Sequence, residues 1–159
     1  MIPIRLIAMG HLKEPYLRTA LAEYEKRLSR YCSFEMIELE PVRLNERPSE
    51  REIAAALDKE SEKILAKIPA GTFTAALCIE GKKLSSEQFA EQIKTCADGG
   101  RPMTFIIGSS HGLSDAVKTR ADLRVSFSAM TFPHQLFRVL LAEQIYRAFQ
   151  INSGGEYHK

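Results

Sequence analysis

The sequence predicts an α/β protein: a mostly parallel sheet of five to six strands, covered by helices on both faces. Two observations carry this. Short β-type runs alternate with segments whose apolar residues recur at helical spacing, and strands separated by helices pair in parallel, with both faces buried. The run PMTFII (Pro102 to Ile107) is the most apolar of the strands, as expected for one buried on both sides.

The elements follow in order. IPIRLIAM (Ile2 to Met9) reads as a strand ended by Gly10. Leu17, Ala20, Leu21, Tyr24, Leu28 and Tyr31 then keep helical spacing, with Pro15 near the helix start, where its missing N–H does no harm. Phe34 to Leu39 is a second short strand. Ser49 with Glu52 fits a capping box, and Ile53, Leu57, Ile64 and Ile68 follow on one face before Pro69. TFTAALCI (Thr72 to Ile79) is strand-like, and SSEQ at Ser85 to Gln88 opens a helix carrying Phe89, Ile93 and Ala97. After the Pro102 strand and its break at Gly108 come a short helix (Ser114 to Arg120), a fifth strand (Leu123 to Phe127) and a last helix (Pro133 to Gln150). In open parallel sheets ligands sit beyond the carboxyl ends of the strands. The turns after Ile79, at Gly108 and after Phe127 therefore matter most.

Composition narrows the classes. At 159 residues the chain is expected to form one domain over residues 1–159, burying roughly 70% of its unfolded surface. Apolar residues are 45% and charged ones 26%, which argues against disorder. The apolar N-terminal run is too short for a membrane span and has no signal-peptide pattern, so a cytoplasmic location is expected. Cys32, Cys78 and Cys96 form no CxxC and read as reduced thiols, and no metal site is expected. Twenty-two Lys plus Arg against 20 Asp plus Glu give a net charge of +2, which allows a nucleic-acid partner without demanding one.

IIGSSHGL (Ile106 to Leu113) has two readings. Gly108, Ser110 and Gly112 satisfy G-x-S-x-G, the nucleophile elbow of serine hydrolases, and Asp115 or Asp122 with His134 or His158 would complete a triad in chain order. Alternatively, Gly108 and Gly112 let main-chain groups approach a nucleotide-like ligand closely. A third class, a ribosome-associated binding protein without catalysis, is compatible with the same composition.

The last helix is apolar over most of its circumference: Leu136, Phe137, Val139, Leu140, Leu141, Ile145, Tyr146 and Phe149 spread around the wheel. One face is expected to meet the sheet and another the same helix of a second copy, giving a homodimer. Glu143 and Arg147 form an i, i+4 pair. Arg138, in an apolar sector, needs an acidic side chain or a phosphate. His134, after Pro133, is either a cap and packing residue or a base beside a ligand.

FSAMTFPHQLFRVLLAEQIYRAF (Phe127 to Phe149), together with IIGSSHGL, LIAMGHLKEPY, AEYEKRL and the terminal EYHK, resembles the RlmH family of the SPOUT superfamily. These are large-subunit ribosomal RNA methyltransferases acting at N3 of a pseudouridine, and the resemblance covers essentially the entire chain. It implies S-adenosylmethionine as methyl donor, a C-terminal trefoil knot forming the cofactor pocket, 23S ribosomal RNA of the large subunit or the assembled ribosome as substrate, and an obligate homodimer whose active site spans both subunits. By matching motif, the cofactor contacts are Leu77, Gly108, Phe127, Ser128, Ala129, Met130, Thr131 and Phe132. Ser109 and His111 depart from the Gly-Gly-Ser-Asn-Gly pattern of the family. The candidates for the catalytic proton and charge work are His134, Tyr157 and His158, with Arg138 able to neutralise a phosphate or a developing oxyanion. Lys13, Arg18, Lys82 and Lys83 are candidate RNA contacts.

Overall fold

The computed structural model describes residues 1–159. Ten elements follow in strict alternation: β1 (Ile2–Met9), α1 (Pro15–Leu28), β2 (Cys32–Leu39), α2 (Glu50–Leu65), β3 (Phe73–Lys83), α3 (Ser86–Asp98), β4 (Met103–Ile107), α4 (Asp115–Arg120), β5 (Leu123–Ser126) and α5 (His134–Asn152). The five strands form one sheet in the order β2-β1-β4-β3-β5, and every pairing is parallel.

Alternation along each strand explains the two layers. Ile4, Leu6 and Ala8 of β1 and Met103, Phe105 and Ile107 of β4 face the larger core, where they meet Leu17, Leu21 and Leu28 of α1, Phe89 and Ile93 of α3, and Leu141 and Ile145 of α5. The opposite side chains, Ile7, Met9 and Ile106, meet Ile64 of α2 and Val117 of α4. Central β4 is buried at all five positions, so each large side chain there contributes about 1.5–3 kcal/mol of burial.

Helix starts follow the cap chemistry, with one difference. Ser85 and Gln88 form a full reciprocal capping box, whereas at Ser49 the hydroxyl accepts from the Glu52 N–H and donates to the Glu52 carboxylate, so only half the box is made. Strand β3 runs four residues past the apolar stretch: after a register break between Leu77 and Lys82, the polar segment pairs again with Val125 and Ser126. Gly81 permits this crossing, since a Cβ there would lie 2.7 Å from the Val125 carbonyl carbon.

The apolar breadth of α5 has a cover within the chain. The helix lies beside α1 and α3 in one layer, so its flanks as well as its sheet face are packed. Tyr31 stacks on Phe149 at 5.5 Å and meets the edge of Tyr146 at 6.1 Å. Among the half-exposed positions of the helix, Leu136, Leu140, Glu143 and Arg147 fall on one stripe. No helix is long and apolar enough to cross a membrane.

Candidate active site

The carboxyl ends of β3, β4 and β5 open into a cavity of about 670 Å³, within the range of small-molecule sites. Its walls are the three expected bends: Leu77 to Glu80, Ile107 to Leu113, and Val125 onward to the start of α5. Of the eight residues assigned to cofactor contact, Leu77, Gly108, Phe127, Ser128, Met130, Thr131 and Phe132 line it; Ala129 sits in the same loop but not on the wall.

The loop after β5 holds its shape through local bonds and an aromatic chain. The Ser126 hydroxyl donates to the Ser128 carbonyl at 3.0 Å, and the Met130 N–H donates to the Ser128 hydroxyl at 3.0 Å. Phe127 packs on Phe137 at 4.9 Å and on Phe89 at 6.2 Å, joining the loop to the core, while Phe132 also meets Phe137, at 6.0 Å. Met130 stays 73% exposed at the mouth.

The Gly108 turn is closed on itself. Ser109 and Gly112 form an antiparallel bridge, Gly112 takes φ +85°, and a Cβ on Gly108 would overlap the Gly112 carbonyl. The elbow reading does not assemble. Exposed Ser110 makes no hydrogen bond to a histidine or an acid, Asp122 is engaged with the Thr74 N–H (2.8 Å) and Arg101, and His158 bonds Arg147 and Glu87 instead. A serine nucleophile needs its base within hydrogen-bond reach. His111 is exposed on the rim.

The four proposed catalytic residues divide. His134 lines the cavity at the start of α5, half-buried; burial, and secondarily the Arg138 charge, hold its pKa below the ordinary 6.5, so the neutral ring predominates at neutral pH. Arg138, one turn on, is fully buried and does not face the cavity as an anion binder. Its guanidinium donates to Glu38 at 2.7 Å and to the Met9 and Gly10 carbonyls at 3.0 and 2.9 Å. The acidic partner of this arginine is thus Glu38, which also accepts from the Leu12 N–H at 2.6 Å and ties the β1–α1 loop to α5.

Tyr157 and His158 lie elsewhere. The phenol donates to Glu143 at 3.0 Å and lies under the Arg147 guanidinium at 4.7 Å; His158 contacts Arg147 at 3.1 Å and Glu87 at 2.8 Å. Glu143 stands nine residues from His134, about 13 Å along the helix axis, so within one chain the tail is docked away from the imidazole. Burial, then the Glu143 carboxylate, push the Tyr157 pKa up to about 12, which keeps it a donor.

Sequence reading missed three acids: Glu80, whose carboxylate pairs with Lys118 at the cavity wall, and two outside the wall, Glu38, which pairs with Arg138, and Glu60, which bonds Ser109. Only Glu60 left a signal, since it falls on the apolar stripe of α2 between Leu57 and Ile64. Of the cysteines, Cys32 and Cys96 are buried, and burial raises the Cys32 thiol to about 12; Cys78 is half-buried at the cavity wall. Lys13, Arg18, Lys82 and Lys83 are all exposed and unpaired, and the Lys13 N–H reaches Gln135 at the start of α5.

A parallel sheet with its cleft at three consecutive strand ends, under an apolar C-terminal helix, is the architecture of the SPOUT methyltransferase class. The profile described as "Predicted SPOUT methyltransferase" matches residues 2–158. Solved structures share the fold at low identity: a "Probable Methyltransferase from Bordetella pertussis Tohama I" (TM-score 0.55, 15% identical, 92% of this chain and 94% of that one) and a "probable methylase family protein from Haemophilus influenzae Rd KW20" (TM-score 0.54, 11%, 99% and 70%). Among curated proteins, the "Ribosomal RNA large subunit methyltransferase H" of Clostridioides difficile is 49% identical over 157 residues, and those of Latilactobacillus sakei and Streptococcus thermophilus are 50% identical. Each alignment spans 98% of this chain and 99% of the relative. The chain belongs to the ribosomal RNA large subunit methyltransferase H family.

Proposed function

We propose that the protein transfers the methyl group of S-adenosylmethionine to N3 of a pseudouridine in 23S ribosomal RNA. It does so in the cytoplasm, where the large subunit and the assembled ribosome are found. The observation that carries this is the coincidence of the 670 Å³ strand-end cavity with half-buried His134 on its wall, in a chain about 50% identical to the large-subunit methyltransferases along nearly its full length.

The cavity suits the cofactor. Leu77, Gly108 and the loop Phe127 to Phe132 would hold it, with main-chain groups of the Gly108 turn open to close approach. S-adenosylmethionine supplies an activated methyl carbon whose transfer discharges the sulfonium, and an apolar loop favours that loss of charge. The protein's task is then alignment. A uracil-type imide nitrogen is largely protonated at neutral pH; His134, held in its free-base form, accepts that proton, and the Arg138–Glu38 pair fixes the loop beside it.

The working unit is a homodimer of single-domain chains. Leu136 and Leu140 form a half-exposed apolar stripe on α5, and two copies of one stripe close with two-fold symmetry. The tail rests on the same stripe at Glu143 and Arg147, so antiparallel pairing of the two α5 helices brings the tail of one protomer towards the cavity of the other. On this reading Tyr157 and His158 contribute to a composite site. The C-terminal trefoil knot that the family implies is consistent with β3 pairing with β5 on both sides of the break between Leu77 and Lys82, and with the close approach of Gly81 to Val125.

Ribosomes lacking the modification, incubated with the protein and methyl-labelled S-adenosylmethionine, are expected to gain label in 23S RNA as N3-methylpseudouridine. Ribosomes that bind the protein yet gain no label would support the binding-protein alternative and overturn the reading.

A further inference from the structure

Behind the Gly108 turn, on the side away from the cavity, lies a second hollow of about 220 Å³ between α2 and the segment that follows β2. Ser109, Ser110 and His111 line both spaces, so the turn is a thin partition. The Ser109–Gly112 bridge closes the turn from within, and a contact from α2 braces its rear.

Glu60 of α2 stands there. It is 4% exposed and carries two hydrogen bonds: one carboxylate oxygen accepts from the Ser109 hydroxyl at 2.8 Å, the other from the Val42 N–H at 3.0 Å. No arginine or lysine pairs with it. A carboxylate on the apolar stripe of a helix is costly to bury, and its two contacts reach the bridged turn at Ser109 and the irregular segment at Val42.

We infer that Glu60 is a positioning residue for the cofactor turn: through Ser109 it sets the shape of the Gly108–Gly112 wall, and through Val42 it links that wall to the segment between β2 and α2. Glu60 itself lies outside the cavity and touches no ligand there. The inference rests on the reading of the large cavity as the cofactor site.

The test is equilibrium dialysis of full-length protein with labelled S-adenosylmethionine, combined with steady-state methylation of ribosomes. Glu60→Ala is expected to weaken cofactor binding about tenfold, the ratio one hydrogen bond to a charged group supplies. The Michaelis constant for S-adenosylmethionine rises in step, while that for ribosomes and the turnover number at saturation stay put. Glu60→Gln keeps an acceptor for Val42, and its amide donates to the Ser109 hydroxyl, so binding stays within about twofold of the parent. In the Ser109→Ala background, which is itself weakened, Glu60→Ala adds little, because the two act as one unit. A residue that only supported folding would lower the unfolding temperature and leave the cofactor constants unchanged. Unaltered cofactor affinity in Ser109→Ala, or equal losses from Glu60→Ala in both backgrounds, overturns the inference. Failure of the unsubstituted protein to bind the cofactor at all would instead refute the functional reading.

Discussion

Arg138 reaches across 100 positions of sequence to donate to Glu38 at 2.7 Å, and the same guanidinium caps the Met9 and Gly10 carbonyls at the end of β1. Three segments meet at that one cation: the last helix, the end of β1 and the end of β2. The arginine is fully buried while its partner is 28% exposed, so the penalty for breaking the pair falls on the arginine side.

Removing the acid leaves that buried cation without its counter-charge. Glu38→Ala is expected to destabilise the fold by about 3 kcal/mol, read as a lower urea midpoint at unchanged slope. Methyl transfer falls as well, because the β1–α1 loop, bonded to Glu38 through the Leu12 N–H, loses its tie to α5.

With His134 as the proposed proton acceptor, it is expected to set the acid limb of the pH profile. Its native pKa lies below the ordinary 6.5, chiefly through burial. Between those two values the unfolded chain binds the extra proton, so stability is lost as pH falls through 6.5 towards the native value. The methylation rate should hold steady down to about pH 6.5 and decline below it. His134→Gln should cost about 100-fold or more in rate and abolish that limb; a limb that survives the substitution would free His134 of the role.

Gly108 tolerates no side chain, since a Cβ there overlaps the Gly112 carbonyl and approaches Leu113. Gly108→Val is expected to weaken S-adenosylmethionine binding by at least about tenfold, a loss of about 1.4 kcal/mol or more, in protein that keeps its far-ultraviolet dichroism. The pocket is damaged without loss of the sheet.

The tail gives a separable outcome. Deleting Tyr157 to Lys159 removes partly exposed contacts with Glu143, Arg147 and Glu87, for which a cost of about 1 kcal/mol is the scale. Cofactor affinity is expected to remain and methylation of ribosomes to collapse. Methylation unchanged in the truncated protein would remove the tail from the mechanism.

Much of the fold was legible because local and global signals agree. Alternating periods gave all ten elements, and the strand-end rule pointed to the three bends that line the cavity. Disagreement arose where a polar residue is satisfied by a distant one. The environment of Arg138 asked for an anion but nothing local named Glu38, and Glu60 kept helical register on an apolar stripe with its partners 18 and 49 positions away. The polar end of β3 shows no apolar alternation because it pairs only along β5, and the breadth of α5 is explained by its neighbours α1 and α3 as well as by the sheet.

Titration calorimetry of the folded protein with S-adenosylmethionine tests the central claim most directly. Saturable heat with one site per chain, lost in Gly108→Val, is the expected result. A silent titration, on material whose cooperative unfolding has been verified, would contradict it.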